Sequence, residues 1–246
     1  MTSHCEVGLR SLLTNDISIL KEEPTYIVLN KPTGLLSQST YGVDSVLFQM
    51  RAFLKERDQL DRTPFLELPH RLDRGTSGVL LAAKTKSTLA SFSEQFHSRK
   101  TAKSYIVAVE GVPSEPRGTW IDWMRKIPDV ARAELAAAGE EGSREAILEY
   151  EQLFSNGTQS IHRVQLLTGR MHQIRLQFAS RGMPVVGDRA YGSSIPWSPA
   201  IRHEHDEHFA LHAHSLAFRH PKDGREVLVV APLPAAWGEN FADFGQ

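Results

Sequence analysis

An aspartate close to two arginines is the feature of this sequence best suited to chemistry. Asp73 lies between Arg71 and Arg74. Because a guanidinium within a few ångströms favours the charged form of a carboxyl group, we expect Asp73 to stay ionised, as a nucleophile or electrostatic anchor rather than a general acid. Gly75 and Gly78 follow it and allow tight turns and the close approach of a ligand. From these residues alone, an aspartate–arginine pair that only fixes a loop is the more common explanation.

Basic residues are concentrated in two segments of a nearly neutral chain, whose 246 residues carry a formal net charge of −1. From His70 to Lys103 there are seven basic and two acidic residues, and from Ile161 to Arg189 there are five and one. If the two segments meet in space, they form a basic cleft suited to a polyanion. The alternative is that these side chains only solvate helix faces.

The composition excludes several classes of protein. Hydrophobic residues make up 41% of the chain and charged residues 23%, which is typical of a globular protein of one or two domains. No apolar run approaches the ~20 residues that span a bilayer, and the N-terminus lacks the pattern of a secretory signal. The single cysteine, Cys5, can form neither an internal disulfide nor a cysteine metal site. We therefore expect a cytoplasmic protein.

Regular elements are predicted on both sides of the Asp73 loop. β-Branched and aromatic residues predict a strand at 25–29, turn residues follow at 30–34, and a helix is predicted at 46–54. After the loop, an apolar run at 79–83 predicts a buried strand. The spacing of Leu89, Phe92 and Phe96 predicts one face of a helix over 86–98.

The second half of the chain predicts more strands and one well-marked helix. Alternation predicts strands at 104–110 and 161–167, and strand patterns return at 215–218 and 226–230. A helix is predicted from residue 169 or 170 to about Arg181, with Thr168 as its N-cap and Gly182 as its stop signal. Residues 111–160 are predicted to form a variable, peripheral and partly helical excursion that ends in a strand near 146–153. The pattern indicates an α+β fold with a mixed or antiparallel sheet.

Six motifs in order carry a resemblance to a known family. The string at 70–78, HRLDRGTSG, resembles the signature of the RluA-type pseudouridine synthases, which isomerise uridine in RNA. Five further segments resemble motifs of that family: 27–35, 103–111, 168–175, 187–192 and 211–218. The resemblance covers roughly residues 17–221. It implies a catalytic domain over 17–246 with a large central sheet, flanking helices and loops, and an active-site cleft across the sheet. Many members of that family carry a separate N-terminal RNA-binding domain of the ribosomal-protein type. Because only the short extension 1–16 precedes the first predicted strand, we expect that domain to be absent.

The resemblance assigns roles to individual residues. Asp73 would be the catalytic aspartate, Arg175 would pair with it, and Tyr105 would lie against the target uracil. The alternatives are that Arg175 is a surface arginine on a helix and that Tyr105 belongs to the core. Residues expected to contact RNA or to position the loops around it are Arg71, Arg74, Lys31, Lys103, Arg170, His172 and Gln173; for Arg74 a pure salt-bridge role stays open.

The implied activity is the isomerisation of specific uridines in structured RNA, ribosomal or transfer RNA, by a monomer without an obligate protein partner. The resemblance implies no cofactor and no metal. Two His-x-His pairs, at His203 and His205 and at His212 and His214, could bind a transition metal, but residues 202–208 are charged and look solvated. Two other functions stay open: a catalytically silent RNA-binding module on the same fold, and a hydrolase that uses Asp73 or the histidines.

Overall fold

A computed structural model of the chain describes residues 17–39, 43–197 and 208–240. Within them lie ten strands and four α-helices, so the predicted α+β class is confirmed. The chain divides into two compact units. The first comprises Met1–Thr101 and Ser215–Ala231, and the second Ala102–His214 and Pro232–Gln246. The proposed N-terminal extension 1–16 lies outside the described residues.

The first unit contains a three-stranded antiparallel arrangement and two helices. Its strands are β1 (Ser18–Glu23), β2 (Tyr26–Lys31) and β3 (Ser77–Ala83). Its helices are α1 (Val46–Arg57) and α2 (Lys86–His97). β10 (Glu226–Val230) pairs antiparallel with residues 215–219 of β9 (Leu211–Arg219). These elements confirm the strands and helices predicted around the Asp73 loop.

Local sequence explains why these helices begin where they do. The Ser45 side chain accepts a hydrogen bond from the Phe48 amide at 3.2 Å and caps α1. Thr85 caps α2 in the same way through the Thr88 amide. Phe92 is fully buried in the core of this unit, and Leu89 and Phe96 pack against it, as their spacing predicts. Other members of that core are Tyr26, Val28, Val79, Leu81 and Phe218.

The second unit is built on five antiparallel strands in the order β4, β8, β7, β5, β6. They are β4 (Ala102–Glu110), β5 (Arg117–Lys126), β6 (Ala133–Leu135), β7 (Arg144–Ser155) and β8 (Gln159–Leu166). Two helices are described here: α3 (Gln173–Ala179) and α4 (Ala235–Asn240). β4 and β8 confirm the predicted strands, and Val107 and Val109 share a core with Tyr105 packed against it.

The prediction that the excursion over 111–160 is partly helical is wrong, whereas the strand predicted near 146–153 is confirmed by β7. This segment forms β5, β6 and β7 and contains no helix. In β7 the side chains of Ala146, Leu148 and Tyr150 are buried while those of Glu149 and Glu151 are exposed, which is the period of two of a strand. The acidic residues therefore mark the solvent side of a sheet rather than a helix face.

The start of α3 also differs from the prediction. Thr168 does not cap it; the helix begins at Gln173, after His172 in the left-handed conformation with φ +53°. Its end is as predicted. Gly182 has φ +74°, and the Met183 amide bonds to the Phe178 carbonyl at 3.1 Å, which closes the helix in a Schellman-type turn. None of the helices in the described ranges is long and apolar enough to cross a membrane.

Candidate active site

The loop that carries Asp73 is fixed by hydrogen bonds from a buried lysine. Lys31, at the end of β2, is fully buried, and its ammonium donates hydrogen bonds to the carbonyl oxygens of Pro32, Arg74 and Thr76 at 2.9, 3.0 and 2.7 Å. Burial lowers the pKa of Lys31 to about 7, although the nearby Asp73 raises it. This placement corrects the prediction that Lys31 contacts RNA, because the side chain is buried and its hydrogen bonds go to Pro32 and to two carbonyls of the loop that carries Asp73.

The turn after β2 holds the same loop by further backbone contacts. The Ser37 hydroxyl donates to the Leu72 carbonyl at 2.7 Å and accepts from the Leu72 amide at 3.0 Å. The Thr33 hydroxyl donates to the Gly75 carbonyl at 2.8 Å, and the Gly34 amide donates to the Arg74 carbonyl at 2.9 Å. Residues on both sides of Asp73 are thus fixed, so the backbone presents the half-buried carboxylate in one position.

The two arginines beside Asp73 have different environments. Arg71 is exposed, as a residue that contacts RNA phosphates must be. Arg74 is half-buried, and its Nε donates to the Gly34 carbonyl at 2.9 Å. His70, at the start of the loop, accepts the Leu81 amide at 3.0 Å and stacks on Phe96. Arg74 and His70 therefore take part in fixing the loop.

Tyr105 and Lys103 lie on β4 in the second unit. Tyr105 is half-buried, packs against the core of this unit and pairs in register with Val164 of β8. The Lys103 ammonium lies against Gly169, where an added Cβ would approach it to 3.2 Å. Gly169 precedes Arg170, so these two predicted RNA-binding residues lie in one neighbourhood.

Arg175 is not a surface residue, and the structure gives it a strong partner that the sequence did not suggest. Its side chain is only 1% exposed, and it makes a bidentate ion pair with the equally buried Asp188. The two hydrogen bonds measure 2.6 Å from Nε and 2.9 Å from Nη2. The guanidinium also lies 5.0 Å from the ring of Tyr191 and 4.4 Å from that of Phe209. Its plane is therefore strongly defined.

The residues before α3 form a hydrogen-bonded turn. The Gln173 side chain is buried; it accepts from the Thr168 hydroxyl at 2.8 Å and from the Arg170 amide at 3.0 Å. The Nδ1 of His172 lies 3.0 Å from the Tyr191 hydroxyl. Arg170 donates through Nε to the Glu145 carbonyl at 2.8 Å. For His172 and Gln173, these contacts favour the loop-positioning role over direct contact with RNA.

The structure thus groups the predicted residues in two sets. Lys31, Asp73 and Arg74 come together in the first unit, and Arg175 with His172 in the second. The pairing of Arg175 with Asp73 and the approach of Tyr105 to the uracil remain predictions. In residues 17–39, 43–197 and 208–240, no group of three or more His, Cys, Asp or Glu side chains could hold a metal ion. His203 and His205 lie outside these residues.

Sequence reasoning missed three functional-site residues, Asp188, Tyr191 and Ser37. The first two lie in the 187–192 string, which was noted as a family motif but given no role. The sequence offered one signal for Asp188: it is the acidic residue in the segment 161–189, whose other charged residues are arginines. Ser37 gave no local signal, because its partner, Leu72, is 35 residues away.

Comparison with known proteins shows similarity in both sequence and fold. A family model described as RNA pseudouridylate synthase matches residues 25–180. The chain is 30% identical over 224 residues to ribosomal large subunit pseudouridine synthase C of Buchnera aphidicola, covering 87% of this chain and 67% of that protein. It is 33% identical over 223 residues to an uncharacterised RNA pseudouridine synthase of Synechocystis, covering 89% and 66%. The chain thus spans about two thirds of the length of these curated relatives.

A solved structure shows the same fold. The structure titled human RNA pseudouridylate synthase domain containing 4 superposes with a TM-score of 0.75 at 21% identity, covering 97% of this chain and 95% of that one. At this identity the match shows the fold alone. The fold predicted from the motif resemblance is therefore confirmed.

Proposed function

Because the chain belongs to the RNA pseudouridylate synthase family, we propose that it isomerises uridine to pseudouridine in structured RNA, with Asp73 as the catalytic carboxylate. The observation that carries this proposal is the loop around Asp73. It is held on both sides by hydrogen bonds from Lys31 and Ser37, within the stretch that matches the family model. The same stretch includes Tyr105 and Arg175, the two other residues assigned to the reaction.

The reaction needs positioned charge rather than an added reagent. The N1–C1′ glycosidic bond breaks, the uracil turns, and C5 bonds to C1′; C5 then loses its hydrogen as a proton, and N1 takes up a proton. Atoms and electrons balance within the nucleotide, so neither redox change nor group transfer from a cofactor is required. In our proposal Asp73 assists the cleavage of the bond, Arg175 orients Asp73, and Tyr105 lies against the uracil and helps to move the late proton.

The reaction requires that the target uracil reach Asp73, and this requirement limits the kind of RNA that can be the substrate. A uracil in RNA must leave its stack to reach a half-buried carboxylate, which costs a few kcal/mol and is easiest in loops and bulges. Relatives carry the name ribosomal large subunit pseudouridine synthase C. We therefore place the target in a loop of large-subunit ribosomal RNA, with transfer RNA as the second substrate to test. Arg71, Lys103 and Arg170 would bind the flanking phosphates, and the enzyme would act in the cytoplasm as a monomer.

Tritium release tests the proposal directly. Large-subunit ribosomal RNA and transfer RNA are transcribed with uridine tritiated at C5, because formation of the C5–C1′ bond expels that hydrogen. The wild type and a control variant at an exposed aspartate, Asp61→Asn, should release tritium at equal rates. Asp73→Asn should release none while it binds the RNA with unchanged affinity and melts at the same temperature as the control.

Each other result would overturn a defined part of the proposal. Tritium release by Asp73→Asn would show that Asp73 is not catalytic. Tight binding of these transcripts by the wild type without tritium release would indicate a silent RNA-binding module. Free uracil in the products would indicate a hydrolase. Mapping pseudouridine in total RNA from cells with and without the gene then identifies the modified position.

A further inference from the structure

We propose that Asp188, Tyr191 and Phe209 form a rigid cradle that positions the guanidinium of Arg175, with Tyr191 as the positioning residue that connects this cradle to the β5–β6 hairpin. The inference deepens the proposed function, because it rests on Arg175 acting on the catalytic carboxylate. It concerns residues to which that function assigns no role.

The first element of the cradle is the ion pair. Asp188 lies in a turn that leads into a short 3₁₀ helix, Arg189–Tyr191, and its carboxylate is 1% exposed. Its two oxygens accept from Nε and Nη2 of Arg175 at 2.6 and 2.9 Å. Two parallel hydrogen bonds fix both the direction and the plane of a guanidinium, which a single contact would leave free to rotate. The other N–H donors of Arg175 are held in the same plane.

The second element is aromatic. The rings of Tyr191 and Phe209 lie 5.0 and 4.4 Å from the Cζ of Arg175, and both residues are buried. A cation over the face of an aromatic ring is attracted by the ring quadrupole, most strongly where water is excluded. The rings also occupy the space into which the long arginine side chain would otherwise move. The guanidinium is therefore restricted by the ion pair with Asp188 and by the two rings packed against it.

The third element connects the cradle to the rest of the unit. The Tyr191 hydroxyl accepts the Ala133 amide at 2.9 Å, donates to the Ala133 carbonyl at 3.2 Å, and lies 3.0 Å from Nδ1 of His172. Ala133 begins β6, and His172 is the residue with φ +53° from which α3 starts. The Tyr191 side chain thus contacts the β5–β6 hairpin, the start of α3 and the guanidinium of Arg175.

The turn that carries Asp188 and Tyr191 is anchored separately. The Glu110 carboxylate, at the end of β4, accepts from the Ser193 hydroxyl at 2.5 Å and from the Ser194 and Ile195 amides at 2.8 and 3.1 Å. The Ser193 hydroxyl in turn accepts the Gly187 amide at 2.9 Å. These hydrogen bonds hold the turn that carries Asp188 and Tyr191 at the end of β4, independently of the ion pair between Asp188 and Arg175.

Two substitutions at one position separate the ring from the hydroxyl. Tyr191→Phe keeps the ring and removes the hydroxyl bonds, whereas Tyr191→Leu removes the ring and introduces no charge. In single-turnover tritium release, we expect Tyr191→Leu to lower the rate constant about tenfold or more, since misplacing a catalytic group by about 1 Å can cost ~100-fold. We expect Tyr191→Phe, which keeps the ring but loses the hydroxyl connection to Ala133, to cause a smaller loss of no more than about threefold, and the affinity of both variants for RNA to be unchanged.

A double-mutant cycle tests whether the ring acts through Arg175. In an Arg175→Ala background, Tyr191→Leu should cause no further loss of rate, because the group it positions is gone. Equal rates for the Phe and Leu variants, or a loss of the same size in both backgrounds, would overturn the proposal. So would a loss of RNA affinity with an unchanged single-turnover rate.

A readout without turnover keeps this inference separate from the proposed function. In a ¹⁵N spectrum of arginine side chains, the Nε–H of Arg175 should be shifted by the rings and protected from exchange; Arg175→Lys assigns it by its disappearance. Tyr191→Leu should move this signal and weaken its protection, and Tyr191→Phe should leave both largely unchanged. An unchanged signal in Tyr191→Leu would refute the cradle. A wild type that isomerises no RNA but shows the expected spectra would refute only the proposed function.

Discussion

The ammonium of Lys31 donates a 2.7 Å hydrogen bond to the carbonyl oxygen of Thr76, a residue 45 positions further along the chain. Thr76 lies three residues after Asp73, and its amide bonds back to the Asp73 carbonyl at 3.1 Å. The position of the candidate catalytic carboxylate therefore depends on one buried side chain from another strand.

Removing the Lys31 ammonium should destabilise the protein. Lys31→Met keeps much of the side-chain volume but leaves the carbonyls of Arg74 and Thr76 without this donor. Since a buried group without its hydrogen bond costs about 1–3 kcal/mol, we expect the free energy of unfolding to fall by roughly 2–4 kcal/mol in urea denaturation. The matched control, Lys55→Met on the exposed side of α1, should change it by less than about 0.5 kcal/mol. Equal losses in the two variants would contradict this role for Lys31.

The same lysine should make stability depend on pH. Burial lowers the pKa of Lys31 from 10.5 to about 7 in the folded state, so between these values the unfolded chain binds the proton and the folded chain does not. The free energy of unfolding must then rise with pH, by at most about 1.4 kcal/mol per unit for one proton. The difference in this free energy between wild type and Lys31→Met should therefore increase from pH 7 to pH 10. A difference that is constant or falls over this range would show that the lysine does not titrate there.

Which parts of the fold could be predicted from the sequence depends on how far apart in the chain the contacting residues lie. The pattern of apolar residues predicted α1 and α2, because residues such as Leu89, Phe92 and Phe96 share a helix face within a few positions of one another. The strands β5 and β6 were missed, because prolines and a high content of acidic residues over 111–151 suggested an irregular, partly helical segment. The strand β7 was predicted near 146–153, where the buried Leu148 and Tyr150 alternate with exposed glutamates.

The sequence suggested the candidate reacting group but not the residues that hold it in place. The resemblance of the string at 70–78 to the family signature assigned Asp73 its proposed role, whereas the residue types alone favoured a pair that only fixes a loop. Lys31 was interpreted as a surface cation, because nothing near it in the sequence shows that a loop more than forty positions away closes over it. Arg175 and Asp188 are 13 residues apart, on different elements, and only the tertiary structure brings them together. Such long-range pairs leave no local pattern.

The loop anchor at Glu110 should fail in acid. Partial burial raises the pKa of this carboxyl group, but the hydrogen bonds from Ser193, Ser194 and Ile195 outweigh it, so the folded-state pKa lies below the usual 4.5. The ionised group stabilises the fold above pH 4.5, and that stabilisation is lost as the pH falls through the lowered value. The excess stability of wild type over Glu110→Gln should be constant from pH 8 to about 5 and decrease below that.

A partial variant checks this explanation. Ser194→Ala removes the 2.9 Å bond from its hydroxyl to the carboxylate and leaves the amide donors in place. Its loss of stability on acidification should lie between those of the wild type and Glu110→Gln. An excess stability over Glu110→Gln that does not change between pH 6 and pH 3 would show that the carboxylate contributes nothing to holding the turn.

Binding to RNA should depend on salt, and Arg71 should account for part of that dependence. The side chain is exposed beside the Asp73 loop, where it can meet a phosphate next to the flipped uridine. Each phosphate contact releases condensed counterions, so the logarithm of the binding constant falls with the logarithm of salt concentration, with a slope of about −0.7 per contact on single strands and −0.9 on duplexes. Arg71→Ala should therefore weaken binding at low salt and make this slope shallower by about 0.7–0.9, measured with unmodified substrate RNA and Asp73→Asn protein to prevent turnover.

Lys222→Ala, which removes an exposed lysine from the turn between β9 and β10, should leave the slope unchanged. If Arg71→Ala weakened binding equally at all salt concentrations, its contact would be with a base or with protein rather than with the RNA backbone.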